Sequence, residues 1–398
     1  MLIYLDNQAT TPTDPRVVDA MLPWFTAQPG NPHSVEHAAG RAAEAAVEAA
    51  RAEIAFLIGA EPREIVLTSG ATEANNLAIK GVARHAAAQD SPRRRIITVV
   101  TEHKCVLESV ADLRHEGFEP AVLPVGPDGL LDLDRLRAAL AVPTLLVSVM
   151  AANNEIGVLQ DIPAIAAVVH AAGALLHTDA AQAVGKIAVD VGGWDVDLLS
   201  ISGHKVYGPK GVGALYVRRR PRARLTALFS GGGQERTLRS GTLPTPLIVG
   251  LGVASRIAAA EMARDTAAAT LLRARFWGGL TARVPGLRLN GDPARRLAGN
   301  LNLTFPAARA LDLMAATPEL CLSTGSACGS ALIEPSYVLR AIGLGPEAAS
   351  RTLRVGIGRF TSEAEVDYAA AALAAAHACL ASHSHLDRAH AQDDVRSA

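Results

Sequence analysis

The sequence predicts an α/β fold: a large domain built on a mostly parallel sheet, followed by a smaller α+β domain. Three observations predict it. Short β-branched or aliphatic runs alternate with segments whose apolar residues recur three and four apart. Near residue 245 that alternation gives way to one long helical stretch, and shorter strand-like pieces follow. A chain of 398 residues, at roughly 100–200 residues per domain, also suggests more than one domain.

Taken in order, the periodicity predicts helices near 36–58, 72–88, 104–116, 132–141 and 161–172. Between them, strands are predicted at Glu64–Thr68, Arg95–Val100, Leu145–Met150, Ala174–Thr178, Val196–Ile201 and Val212–Val217. The stretch 245–280 leads on to Leu287–Asn290, Asn300–Phe305 and Leu353–Gly356, then to a last helix near 362–380. We expect a large domain over 14–261, a small domain from 1–13 and 262–381, and a disordered tail over 382–398, which is polar and lacks apolar periodicity.

Composition narrows the function. Lys and Arg number 38 against 39 Asp and Glu, so a nucleic-acid binder, which needs a clustered basic excess, is disfavoured. Four cysteines without a CxxC pair indicate neither a disulfide framework nor a structural zinc site, and a reducing cytoplasm is the expected compartment. The greasy stretch Ala164–Leu176 is short of the ~20 residues that span a bilayer, so no membrane role is expected. No dinucleotide or P-loop glycine motif follows a strand.

In parallel sheets ligands sit at the carboxyl ends of strands, and polar clusters stand at those ends. Leu67-Thr68-Ser69-Gly70-Ala71-Thr72 runs through a glycine into a helix start, which suits a phosphate or a plain cap. Thr101-Glu102-His103, Ala152-Asn153-Asn154 and His177-Thr178-Asp179 with Gln182 supply a ring, an amide and a carboxylate. Ser202-Gly203-His204-Lys205 follows another strand, and such a lysine can form a Schiff base, with Lys210 as its decoy. Pyridoxal phosphate needs that lysine, a carboxylate (Asp179) for its pyridine nitrogen, and a phosphate cradle (Thr72, Ser202, His204). Cys328, within Ser323-Thr324-Gly325-Ser326-Ala327-Cys328-Gly329-Ser330, reads either as an exposed nucleophile or as a packing cysteine; Cys105 and Cys321 read as packing.

With these stretches in hand, the chain resembles the cysteine desulfurases, group I (NifS/IscS-like), of the class V aminotransferases. The resemblance runs in order through YLDNQATTP, TSGATEANNLAIKG, TEHKCVLES, ANNEIGVLQDI, HTDAAQAVGK, SGHKVYGPKGVGALYVR, GGGQERTLRSGT, STGSACGSALIEPSYVLRAIGL and LRVGIGRFT. It implies the pyridoxal-phosphate-dependent transferase fold, like that of aspartate aminotransferase. It implies pyridoxal 5'-phosphate held by Lys205, with His103 stacked on the ring and assisting proton transfer. Asp179 is then the partner of the pyridine nitrogen and Gln182 of the ring oxygen, while Ala71, Thr72, Ser202 and His204 bind the phosphate. Thr242 is expected to reach the phosphate of the other subunit of a homodimer. Asn154, beside the cofactor, and Arg354 are expected to hold the substrate, L-cysteine. Cys328 is expected to take its sulfur as a persulfide, leaving alanine, and to pass it to an acceptor protein such as an iron–sulfur scaffold. Through that persulfide Cys328 is also the expected point of contact with an iron–sulfur cluster shared with a partner.

Two stretches depart from the family pattern. Pro306–Leu311 is shorter, and the chain ends HSHLDRAHAQDDVRSA in place of an apolar, aromatic tail, which makes a specialised partner as plausible as a general scaffold. His377, Cys379, His383, His385 and His390 match no standard zinc spacing. A selenocysteine lyase, a kynureninase-like lyase or an aminotransferase would share Lys205 and Asp179 but would not need Cys328.

Overall fold

The computed structural model describes residues 2–324 and 336–396. Its largest sheet has seven strands: β2 (Ile65–Thr68), β3 (Arg95–Val99), β4 (Glu119–Leu123), β5 (Thr144–Ser148), β6 (Leu175–Asp179), β7 (Leu198–Ser202) and β8 (Gly213–Val217), in the order β2-β8-β7-β6-β5-β3-β4. Only β8 runs against its neighbours, β2 and β7; the other pairings are parallel, as the alternation of strands and helices predicts. Strands β2, β5, β7 and β8 are buried along their whole length, which explains why they read as continuous apolar runs instead of alternating ones. Strand β4 was absent from the sequence expectation. It carries Pro120 and lies at the edge, the place where a sheet tolerates a missing N–H.

Helices cover both faces. Ile54, Val147, Ile165, Leu199 and Leu251 share one buried cluster; Leu77, Val82, Val106, Leu146 and Leu215 share the one opposite. A third cluster gathers Leu5, Phe276, Phe305, Leu353 and Val366 around a three-stranded antiparallel sheet of β9 (Arg288–Leu289), β10 (Asn300–Thr304) and β12 (Thr352–Gly356). The helix Thr245–Thr281 joins the two regions: its first half packs Ile248, Leu251 and Ala254 into the first cluster, its second half Leu272, Phe276 and Leu280 into the third. By length and composition it could cross a membrane, with a mean hydropathy of 1.4 over an 18-residue window, and the demand of two cores for apolar residues accounts for that composition.

The amino-terminal strand β1 (Ile3–Tyr4) pairs in parallel with β11 (Leu320–Cys321). Asn7 Nδ2 then donates to Gly356 O at 2.8 Å, so this segment is stitched to β12 before it crosses to the large sheet. At the other end, the last helix runs Glu363–Arg396, past residue 381 where the sequence predicts a disordered tail. The added stretch contains neither Gly nor Pro, so nothing in its backbone chemistry stops a helix already under way.

One buried ion pair anchors the loop that leads to Thr242. Glu235 accepts from Arg51 Nη1 and Nη2, each at 2.7 Å, and from Leu67 N at 2.6 Å, with both side chains nearly inaccessible. Glu235, Arg236 and Thr237 all have positive φ, of 49°, 57° and 67°, and non-glycine residues hold that conformation only when the surroundings enforce it. Glu235→Gln leaves the Arg51 guanidinium without its buried countercharge. We expect it to lower unfolding free energy by about 3–5 kcal/mol, measured by denaturant titration; a loss within error of zero contradicts the anchoring role.

Candidate active site

The carboxyl ends of β2, β3, β5, β6 and β7 open on a cavity of about 560 Å³. Ala71, Thr72, His103, Asn154, Asp179, Gln182, Ser202, His204, Lys205 and Arg354 all line it, so residues remote in sequence meet in one place. Thr242 is exposed, outside this lining. Cys328 lies outside the described residues. Two described residues on either side of it are anchored: Ser323 O accepts from the backbone N of Arg354, a residue of the cavity lining, at 2.6 Å, and Ser336 Oγ donates to Glu155 Oε2 at 2.5 Å.

At one end of the cavity, β2 turns through Gly70 into the helix Ala71–Ala88. A Cβ on Gly213 of β8 would stand 2.7 Å from Gly70 Cα, so the close crossing needs glycine at 213, while Gly70 itself is called for by its φ of +146°. The helix has no side-chain cap at Gly70, which leaves its first amides without a side-chain acceptor. Ser202 and His204 face the same space. Burial, aided by Lys205, Lys210 and Lys186, pulls His204 down to about 4, so near neutrality it offers N–H donation and not a charge. An uncapped helix start beside a hydroxyl and a neutral imidazole fits a phosphate ester.

At the other end stands Asp179, the last residue of β6. Asn75 Nδ2 donates to its Oδ2 at 2.8 Å and Ala181 N to its Oδ1 at 2.9 Å. His103 caps the helix Lys104–Asp112 and lines the cavity. Burial first, then Lys205 and Lys104, hold its pKa below the ordinary value against the opposing pull of Asp179, so the ring is neutral and able to take a proton. Neighbouring His177 lies inside the sheet between Ser148 Oγ (2.8 Å) and Ser200 Oγ (3.0 Å), where burial pulls it down to about 3; it is a spacer in the core.

Lys205 follows β7 in a single 3-10 turn, Gly203–Lys205. Its Nζ donates to Gln8 O at 2.5 Å and to Ala9 O at 2.7 Å. Gln182 Nε2 donates to the same Gln8 O at 2.8 Å, and Gln182 Oε1 accepts from Lys186 Nζ at 2.9 Å. Lys186 is a second lysine with unusual chemistry, since burial near Lys205 and Arg354 pulls it down to about 7. Its acidity alone would make it a rival amine. Position decides against it: Lys186 lines a separate small cavity behind Gln182, whereas Lys205 stands in the main one.

Arg354, on β12, reaches across from the small sheet. Its Nη1 donates to Asn154 O at 2.9 Å and its Nη2 to Asp6 Oδ1 at 2.7 Å, while its Nε and Asn154 Oδ1 are buried without a partner. A buried guanidinium with donor capacity to spare suits a carboxylate. Among the described residues no group of three or more His, Cys, Asp or Glu could hold a metal.

Sequence reasoning missed several members of this site. Gln8 and Ala9 act through backbone carbonyls, which no side-chain pattern reports. Asn75 sits three residues after Thr72 on the same helix, and that spacing, one turn of the cavity-facing surface, was the signal available. Cys105, expected to pack, does pack against the buried cluster of Leu77 and Val106, and it also lines the cavity.

Comparison with known proteins agrees with this geometry. The family model described as "Aminotransferase class-V" matches residues 3–369. The cysteine desulfurase IscS of Rickettsia rickettsii (strain Iowa) is 54% identical over 367 residues, 92% of this chain and 89% of that one. Among solved structures, one titled as a NifS-like protein superposes with a TM-score of 0.87 at 35% identity, covering 96% of this chain and 99% of that one. Another, titled "SspA in complex with cysteine", gives 0.80 at 37% identity over 90% of this chain and 100% of that one.

Proposed function

This chain belongs to the class-V aminotransferase family, and on that footing we propose that it is a cysteine desulfurase, which takes sulfur from L-cysteine and leaves L-alanine. As a member of that family it uses pyridoxal 5'-phosphate. The observation that carries the proposal is the cavity itself: an amine, a carboxylate, an uncapped helix start and a buried guanidinium face one space at the strand ends. The bound ring supplies an electron sink for cleavage of the substrate's C–S bond.

The chain's own residues do the rest. Lys205 would bond the cofactor, Asp179 would hold the pyridine nitrogen, and Gln182 would donate to the ring oxygen. Ala71, Thr72, Ser202 and His204 would take the phosphate. His103 would face the ring and, being neutral, carry a proton at the nitrogen away from Cys105. Arg354 and Asn154 orient the amino acid. Cys328 accepts the sulfur: its thiolate attacks the substrate sulfur, the persulfide S–S bond forms as C–S breaks, and the carbon gains a proton to become the methyl group of alanine. Anchored Ser323 and Ser336, on either side of Cys328, favour its delivery to this cavity.

We further propose a homodimer in which exposed Thr242 completes the phosphate site of a second copy, and a cytoplasmic location. The persulfide passes to a sulfur-acceptor protein, an iron–sulfur scaffold or a more specialised partner. Residues 14–261 form the large domain and 1–13 with 262–381 the small one, a division favoured by the separate buried clusters along the helix Thr245–Thr281.

The test is alanine release from L-cysteine by the purified holoenzyme in the presence of a thiol reductant and, in a separate sample reacted without reductant, mass spectrometry of the peptide bearing Cys328. Stoichiometric alanine and one added sulfur on that peptide support the function; no alanine from L-cysteine overturns it. For Arg354→Lys, a point charge replaces a planar fork that already serves Asp6 and Asn154. The Michaelis constant for L-cysteine should rise about tenfold to a hundredfold, with a smaller change in kcat, in steady-state kinetics. An unchanged constant removes Arg354 from substrate binding.

A further inference from the structure

The contacts of Cys105 run in one direction. Its backbone N lies 3.2 Å from His103 Nδ1, and a backbone N–H can only donate, so Nδ1 is an acceptor and the proton of the neutral ring sits on Nε2. Cys105 Sγ lies 3.0 Å from the same nitrogen, a contact that needs the thiol hydrogen. The sulfur in turn accepts from Asn75 Nδ2 at 3.2 Å, whose other hydrogen goes to Asp179 Oδ2 at 2.8 Å. Asp179 can only accept, so the Asn75 amide cannot be flipped without losing that bond.

We propose that Cys105 is a positioning residue: its S–H, aimed at Nδ1, locks His103 as the Nε2–H tautomer, and its sulfur seats the Asn75 amide against Asp179. The proposal rests on the reading of His103 as the ring that moves a proton in the cavity. Burial, then the charge of Asp179, pushes the Cys105 thiol up to about 12, so it remains a donor over the working pH range and does not compete with Cys328 as a nucleophile. Charged and titratable groups facing the pair are Asp179, Lys205 and Lys104 around His103, and Asp179 and Glu102 around Cys105. A protonated His103 would set a third donor against the two already aimed at Nδ1. Cys105 therefore opposes imidazolium formation, and its removal should make His103 easier to protonate.

The experiment uses the full-length holoenzyme labelled with ¹⁵N-histidine, with His103→Gln assigning the signal. Wild type should show an unprotonated Nδ1 and a protonated Nε2. In Cys105→Ala the titration midpoint of His103 should move upward by about half a unit or more, and in Cys105→Ser, which keeps a hydroxyl donor, it should stay with wild type. A wild-type midpoint in Cys105→Ala overturns the proposal, as does a Ser variant that behaves like Ala; the tautomer itself should persist, because the backbone N–H of residue 105 still donates to Nδ1. The pH dependence of kcat/KM then separates the two readings. If the acidic limb follows the midpoint, both hold; if the midpoint moves and the limb does not, Cys105 positions His103 but His103 is not the group that moves the proton.

Discussion

Lys205→Ala should purify without the visible absorbance of a lysine-bound cofactor and with alanine release reduced by at least about 10²–10⁴-fold, the scale on which a single proton-transferring group acts. The expected loss is large because Lys205 has two tasks, to bond the cofactor and to handle protons. Its amine lines the main cavity, where it donates to the Gln8 and Ala9 carbonyls. The fold should survive, since the lysine occupies a three-residue turn after a buried strand and its removal leaves two carbonyls that water can satisfy. The measurement is an absorption spectrum, a rate and a thermal melt on the same preparation. A yellow, active variant would overturn the assignment and direct attention to Lys210, which shares the cavity, or to Lys186 behind it.

Cys328→Ala separates sulfur acceptance from cofactor binding. Cys328 is not among the residues proposed to hold the cofactor, so the cofactor absorbance should persist. Alanine release from L-cysteine should fall about a thousandfold or more, as expected for the loss of a group acting directly on the reacting atom, and no sulfur should be added to the loop peptide. The other cysteine at the site is no substitute, because the Cys105 thiol is held protonated against His103. Unchanged turnover in the variant would mean that another group receives the sulfur.

How much of this was legible in the sequence depends on where each residue stands. Thr72, His103, Asn154, Asp179 and Lys205 were readable because each follows an apolar run, and a parallel sheet delivers all such positions to one edge. Strand β4 was hidden by Pro120, and β1 by its brevity: two residues have no periodicity, and its pairing partner is remote in sequence. The carbonyls of Gln8 and Ala9 were hidden because every residue has one. Cys105 packs as expected, and its second contact, with a capping histidine at the cavity, was hidden because cysteine packs far more often than it donates a hydrogen bond. The carboxyl-terminal helix misled because an absent apolar stripe was read as absent structure, whereas a helix already formed extends at little cost through residues of ordinary propensity.

The stitching of the first residues to the last sheet carries a consequence for biosynthesis. Asn7 bonds Gly356, a partner 349 positions later, and the segment after it supplies the carbonyls that hold Lys205. As the chain leaves the ribosome, the large sheet can assemble as soon as β8 is out, and residues 8–14 can bond it, yet residues 3–7 must wait for β11 and β12 to emerge. The catalytic pocket is thus among the last features to be finished. A nascent chain arrested before β12 should hold a formed sheet and a pocket without Arg354, and substrate binding becomes a late checkpoint on completed synthesis.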